Sequence, residues 1–128
     1  MATISAAWTE AISIQTVEAI NPSAAKSDDF DIAAAGYDTV KLQFTVAFSA
    51  AAVNDYKVEI LTSADSGSTD DSVATYTLLI PAPGSGGHVI DSITIPNETF
   101  ISIKRTNLDT TETATETILA AGRKWSSA

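Results

Sequence analysis

Residues Thr39 to Phe48 read TVKLQFTVAF. Val40, Leu42, Phe44, Val46 and Phe48 occupy every second position, with Lys41, Gln43 and Thr45 between them. Side chains alternate faces along an extended chain, so this spacing gathers the apolar set on one side. A strand with one buried and one wet face belongs to an antiparallel sheet. The fold class therefore turns on how often this pattern returns.

It returns along the rest of the chain. YKVEILT sets Tyr56, Val58 and Ile60 opposite Lys57 and Glu59, and VATYTLLI sets Ala74, Tyr76, Leu78 and Ile80 opposite Thr75 and Thr77. VIDSITI, FISIKRT and TETATETILA follow, ISIQTVEAI from Ile12 comes before, and FDI around Phe30 reads as a short strand. The intervals NPSAAKSDD, SAAAVND, SADSGSTDD, PAPGSGG, PNE and NLDT are rich in the residues that turns select. No amphipathic helical stretch interrupts them. The expectation is an all-β fold of two antiparallel sheets packed face to face, a β-sandwich. Its predicted divisions are an N-terminal arm over 1–11, the sandwich over 12–122 and a short C-terminal tail over 123–128.

FISIKRT and TETATETILA suggest a hairpin closed by NLDT, Asn107 to Thr110. That register sets Thr106 opposite Thr111 and Arg105 opposite Glu112. Ile101 and Ile103 then share a face with Ala114, Ile118 and Ala120, while Ser102, Lys104, Thr113, Thr115 and Thr117 form a solvent-facing ladder.

Composition narrows the function. The 128 residues fit one domain, and 45% hydrophobic content supports a core without metal or disulfide staples. There is no cysteine, which excludes thiol catalysis and Cys-ligated zinc. Seven basic against sixteen acidic residues give a formal charge of −9, which opposes nucleic-acid binding. The pairs Lys104-Arg105 and Arg123-Lys124 do not reverse it. MATISAAWTEAISIQ lacks a basic n-region, and no apolar run approaches the roughly 20 residues of a membrane helix, so a soluble protein without a signal peptide is expected.

Catalytic chemistry finds little support. His88 is the sole histidine. It follows PGSGG, which lacks the Lys-Ser/Thr and the helix of a phosphate loop, so that stretch reads as hairpin. His88 and Asp91, three residues apart on a strand, face opposite ways. Asp28, Asp29 and Asp31 read as solvated turn carboxylates, and Glu112 with Glu116 as flanks of the cross-strand arginine. No enzyme and no cofactor are expected. Asn97-Glu98-Thr99 fits a glycosylation sequon, relevant only to a secreted eukaryotic protein.

Two features invite a binding role. SADSGSTDDS, Ser63 to Ser72, offers Asp65, Asp70 and Asp71 as weak calcium candidates, but it misses the EF-hand spacing and has no closing glutamate. A solvated loop without an ion is the expectation; its length suits a crossover between sheets or an exposed tip. Trp8 and Trp125 lie near the termini, where a large aromatic implies docking. They either cap the domain's own end or anchor a neighbouring subunit.

In order, GYDTVKLQFTVAF, YKVEILTSADSGSTDD, YTLLIPAPGSGGHVIDSITIP and FISIKRTNLDTTETATETI resemble a recurring small β-sandwich of tailed-bacteriophage virions. The resemblance spans about residues 36 to 119 and is one of pattern, without an invariant motif. It implies a jelly-roll-like structural protein, foremost a capsid decoration or cement protein. Such a protein would be made in the host cytoplasm, bind the major capsid protein on the outside of the virion, and form a homotrimer. Neither nucleic acid nor membrane would be a partner. The alternatives are a tail or head-fibre accessory protein and a carbohydrate-binding module. The last needs an exposed aromatic, and with Tyr56 and Tyr76 assigned to the core, Tyr37 and the tryptophans remain for it.

Overall fold

A computed structural model describes residues 4–5, 12–63, 74–124 and 126–127. Ten strands are present and no helix is found among these residues: β1 (Ile4–Ser5), β2 (Ile12–Ile20), β3 (Ala25–Asp31), β4 (Thr39–Phe48), β5 (Tyr56–Ser63), β6 (Tyr76–Ile80), β7 (Gly87–Pro96), β8 (Phe100–Asn107), β9 (Ala114–Arg123) and β10 (Ser126–Ser127). The two-residue strands β1 and β10 pair with each other, antiparallel. The other eight form two four-stranded antiparallel sheets, ordered β2-β9-β4-β7 and β3-β8-β5-β6.

The ladders explain that order. β2 pairs with β9, β3 with β8, β4 with β7 and β5 with β6, as the arms of one long hairpin would. Two further ladders, β4 with β9 and β5 with β8, roll the hairpin into two layers. Numbered one to eight, the strands run 1-8-3-6 and 2-7-4-5, the connectivity of a jelly roll. The expected all-β sandwich of jelly-roll type is the observed fold.

The opening strand sits at its centre. β4 is hydrogen-bonded on both sides, and Val40, Leu42, Phe44 and Val46 are fully buried. Each such side chain contributes on the order of ~2 kcal/mol by leaving water, as an upper figure. Opposite them, Tyr56, Val58 and Ile60 of β5 and Ile101 and Ile103 of β8 complete the core.

Three local expectations change. β8 and β9 are not a hairpin: they lie in different sheets, and Asn107 to Ala114 crosses from one to the other. The inward face was read correctly, since Ile101, Ile103, Ala114, Ile118 and Ala120 are all buried. Alternation fixes the face of each strand, yet it does not distinguish a hydrogen-bonded neighbour from a strand facing across the core. The supposed threonine ladder is thus split between the outer faces of two sheets. Likewise the stretch from Pro81 to Gly86 is no hairpin, because it links β6 in one sheet to β7 in the other. Asp28, Asp29 and Asp31 belong to β3 and not to a turn; pairing with β8 extends that strand back to Ala25.

Register assigns each loop to an end. Thr39 lies against Pro96 and Arg123, and Ser63 against Phe100, so the loop 32–38 and the turn 97–99 share one end. β2 begins and β9 finishes at this end too, and β5 and β6 open here toward residues 64–73. The opposite end gathers the connections 21–24, 49–55, 81–86 and 108–113.

Candidate functional site

Two constructions stand out, one between the sheets and one at an end.

The first lies along the β2–β3 side. β2 has irregular register between Ser13 and Gln15 and between Gln15 and Glu18. Such bulges re-aim side chains on edge strands. Beyond them Glu18 stands directly opposite Glu116 of β9. Like charges so placed repel, and two cations from the facing sheet offset them. Lys26 of β3 pairs with Glu18, and Arg105 of β8 pairs with Glu116.

Arg105 is fully buried and its guanidinium is saturated. Nε donates to both Glu116 oxygens at 3.0 and 2.9 Å, and Nη2 donates to Glu116 and lies 2.7 Å from Asp28 Oδ2. Nη1 donates to the Ile103 carbonyl at 2.9 Å and to the Lys26 carbonyl at 3.4 Å. Burial lowers the Arg105 pKa, and Asp28 opposes this. Arginine stays charged regardless. Burial, followed by Glu18 and Asp28, holds the Glu116 carboxyl above the ordinary range.

Oxygens of Glu18, Asp28 and Glu116 lie within 4.8 Å of one another, the spacing of metal ligands. Arg105 and Lys26 stand where a metal's charge would act, leaving three carboxylates against two cations. The arrangement is an ion network at the sandwich margin, with Arg105 and Glu116 buried and Lys26, Glu18 and Asp28 on its partly exposed side. Sequence reasoning gave Arg105 the wrong partner: Glu112 instead accepts from Ser49 Oγ at 2.7 Å. The signal was available, because Arg105 continues the inward parity of Ile101 and Ile103, and Glu116 that of Ala114 and Ile118.

The second construction is a cleft at the end shared by loop 32–38 and turn 97–99. Ala33, Tyr37, Asp38, Asn97, Glu98 and Thr99 line about 250 Å³. Ala33 N–H donates to the Thr99 carbonyl at 3.0 Å, and Asn97 N–H to the Asp38 carbonyl at 2.8 Å, so the two loops are stitched together. Asn97 has φ 54°, a left-handed conformation that asparagine adopts more readily than most residues. Tyr37 is half-buried over Gly122, where an added Cβ would fall 2.3 Å from ring atoms Cγ and Cδ2. Glycine at 122 is thus what allows the ring its position. The glycosylation-like triplet Asn97-Glu98-Thr99 forms one wall of this cleft.

The opposite end is braced by NLDT itself. Asp109 Oδ2 accepts N–H groups of Val53 and Asn54 at 2.8 and 3.1 Å, and Oδ1 accepts those of Thr111 and Glu112 at 3.0 and 2.9 Å. These bonds, that from Thr111 first, hold its carboxyl far below the usual carboxylate range. Asn107 Nδ2 donates to the carbonyls of Ile20 and Glu112 at 3.0 and 2.8 Å.

The remaining candidates stay apart from these constructions. His88 is exposed, and half-buried Asp91 has the opposite parity on β7, opposite buried Phe44, as alternation required. Asp65, Asp70 and Asp71, and both Trp8 and Trp125, lie outside the described residues. β5 and β6 are antiparallel neighbours, so the segment carrying the three aspartates joins strands of one sheet and is not a crossover.

Fold and geometry define a class: an all-β, two-sheet jelly roll whose buried charges pair with one another. The chain matches no family model and no curated protein.

Proposed function

We propose that this chain is a non-enzymatic structural protein of a tailed-phage virion, a decoration or cement protein bound to the outside of the capsid. The observation that carries the reading is the jelly-roll connectivity of its two sheets, an architecture found in viral capsid domains among others. Fold alone does not assign function, and three further features agree with it. The charge of −9 makes affinity for packaged DNA weak, as suits an exterior protein. The buried Arg105 and Glu116 are paired with each other, and His88 is exposed on β7, so the buried charges are spent on structure. At the end braced by Asp109, Val53 and Leu108 are 79% and 39% exposed on loops held by hydrogen bonds.

A cement protein works by binding the assembled shell and not its separated subunits, which stabilises the shell by mass action. The test adds purified chain to particles lacking it and follows DNA release on heating. Saturable binding with a raised release temperature is expected. Particles that neither bind the chain nor gain heat resistance would refute a cement role. Attachment at a few sites per particle would move the chain to the tail or head fibres.

A further inference from the structure

We propose that the cleft between loop 32–38 and turn 97–99 binds a single neutral sugar ring. The inference is independent of the virion reading, since it rests on the chemistry of the cleft walls alone.

Size comes first. About 250 Å³ falls below the roughly 300–1,000 Å³ of sites for drug-sized ligands, so the space suits one small ring. Chemistry comes second. Tyr37 supplies an aromatic surface, and aromatic rings present a negative face that attracts the polarised C–H groups of a sugar. Around it stand an amide at Asn97, a hydroxyl at Thr99 and carboxylates at Asp38 and Glu98. Amides and hydroxyls both donate and accept, which matches vicinal hydroxyls. Charge comes third. No lysine, arginine or histidine is among the described residues that line the cleft, so no cation there recruits a phosphate or a uronic acid.

The walls are also preorganised. Tyr37 N–H donates to the Ile32 carbonyl at 3.1 Å, Asp38 N–H to the Arg123 carbonyl at 2.9 Å, and the two stitches between the loops fix the rest. A ring seated on Gly122 does not have to be ordered when ligand arrives, which lowers the cost of binding.

The experiment is an amide-resolved NMR titration of the full chain with methyl glycosides of glucose, galactose, mannose and N-acetylglucosamine. Glucuronate, inorganic phosphate and calcium chloride serve as separate probes. At least one neutral glycoside is expected to shift amides in 33–38 and 97–99 with millimolar affinity. Tyr37→Ala should abolish these shifts. Because that variant loses packing against Gly122, Asn97→Gly, which tolerates the positive φ, and Thr99→Val are tested beside it. Each should weaken binding about tenfold or more while leaving the remaining spectrum in place. The proposal is overturned if no glycoside moves these amides, or if Asn97→Gly and Thr99→Val both bind as the parent does. It is equally overturned if phosphate or glucuronate binds as tightly as the sugars, or if calcium alone gives the same shifts.

Discussion

Arg105 is the residue on which the interior depends most. It carries a full charge at zero exposure and meets Glu116, also fully buried, through two nitrogens. Removing Arg105 leaves Glu116 buried beside Glu18 and Asp28 without its counter-charge, so that it must take up a proton or stay unpaired, at a cost of about 3–5 kcal/mol. Arg105→Met should therefore lower stability by that amount in urea melts, and Arg105→Met with Glu116→Leu should recover most of it. A double variant as unstable as the single one would show that the pair contributes more than charge cancellation. Tyr56 is the opposite case: its hydroxyl is buried without a hydrogen-bond partner among the described residues. A hydroxyl in that position opposes folding, so Tyr56→Phe should be neutral or stabilising by about 1 kcal/mol. Asp109 gives a pH signature. Its carboxyl titrates lower in the fold than in the unfolded chain, so its contribution is complete above the unfolded value near ~3.9 and is lost as pH falls below it. Melting temperature measured against pH should drop on the acid side, and Asp109→Asn should flatten that limb while lowering stability at neutral pH.

At the scale of elements, β4 was legible because its burial alternates from Val40 to Phe48, and β5, β7 and the inward face of β9 were legible for the same reason over most of their length. What alternation left open was pairing. Arg105 and Glu116 share an inward parity that would have joined them, but NLDT looks like a hairpin turn, and that local signal favoured Glu112. In the fold its asparagine and aspartate brace a crossing between sheets. The ion network was illegible for a second reason: Glu18 reaches it only through bulges in β2, and periodicity carries no mark of a bulge. The end cleft was visible only as Tyr37, since its partners Asn97, Glu98 and Thr99 lie far along the chain. Hydrogen exchange should follow the sheet order, slowest in β4, β9, β8 and β5 and fastest in edge strands β2, β3, β6 and β7. Uniform protection across all eight strands would contradict that order. Gly122→Ala should expel the Tyr37 ring, seen as loss of its ring contacts in NMR spectra, because the new methyl group has no room.

The whole molecule joins a rigid two-sheet body to an acidic surface, with both terminal segments leaving from the end that holds the cleft. In the proposed setting the sandwich is a spacer with specific contacts at its ends, and the termini bearing Trp8 and Trp125 are its anchors to the shell. A Trp8→Ala, Trp125→Ala double variant should keep its β-type circular dichroism and lose association with particles; undiminished occupancy would remove the anchoring role from these residues. The central claim, that the chain is a capsid component present in many copies, is tested most directly by its molar ratio to the major capsid protein in purified particles, read by quantitative mass spectrometry. The account predicts a high copy number in multiples of three, and absence of the chain from the particles would contradict it.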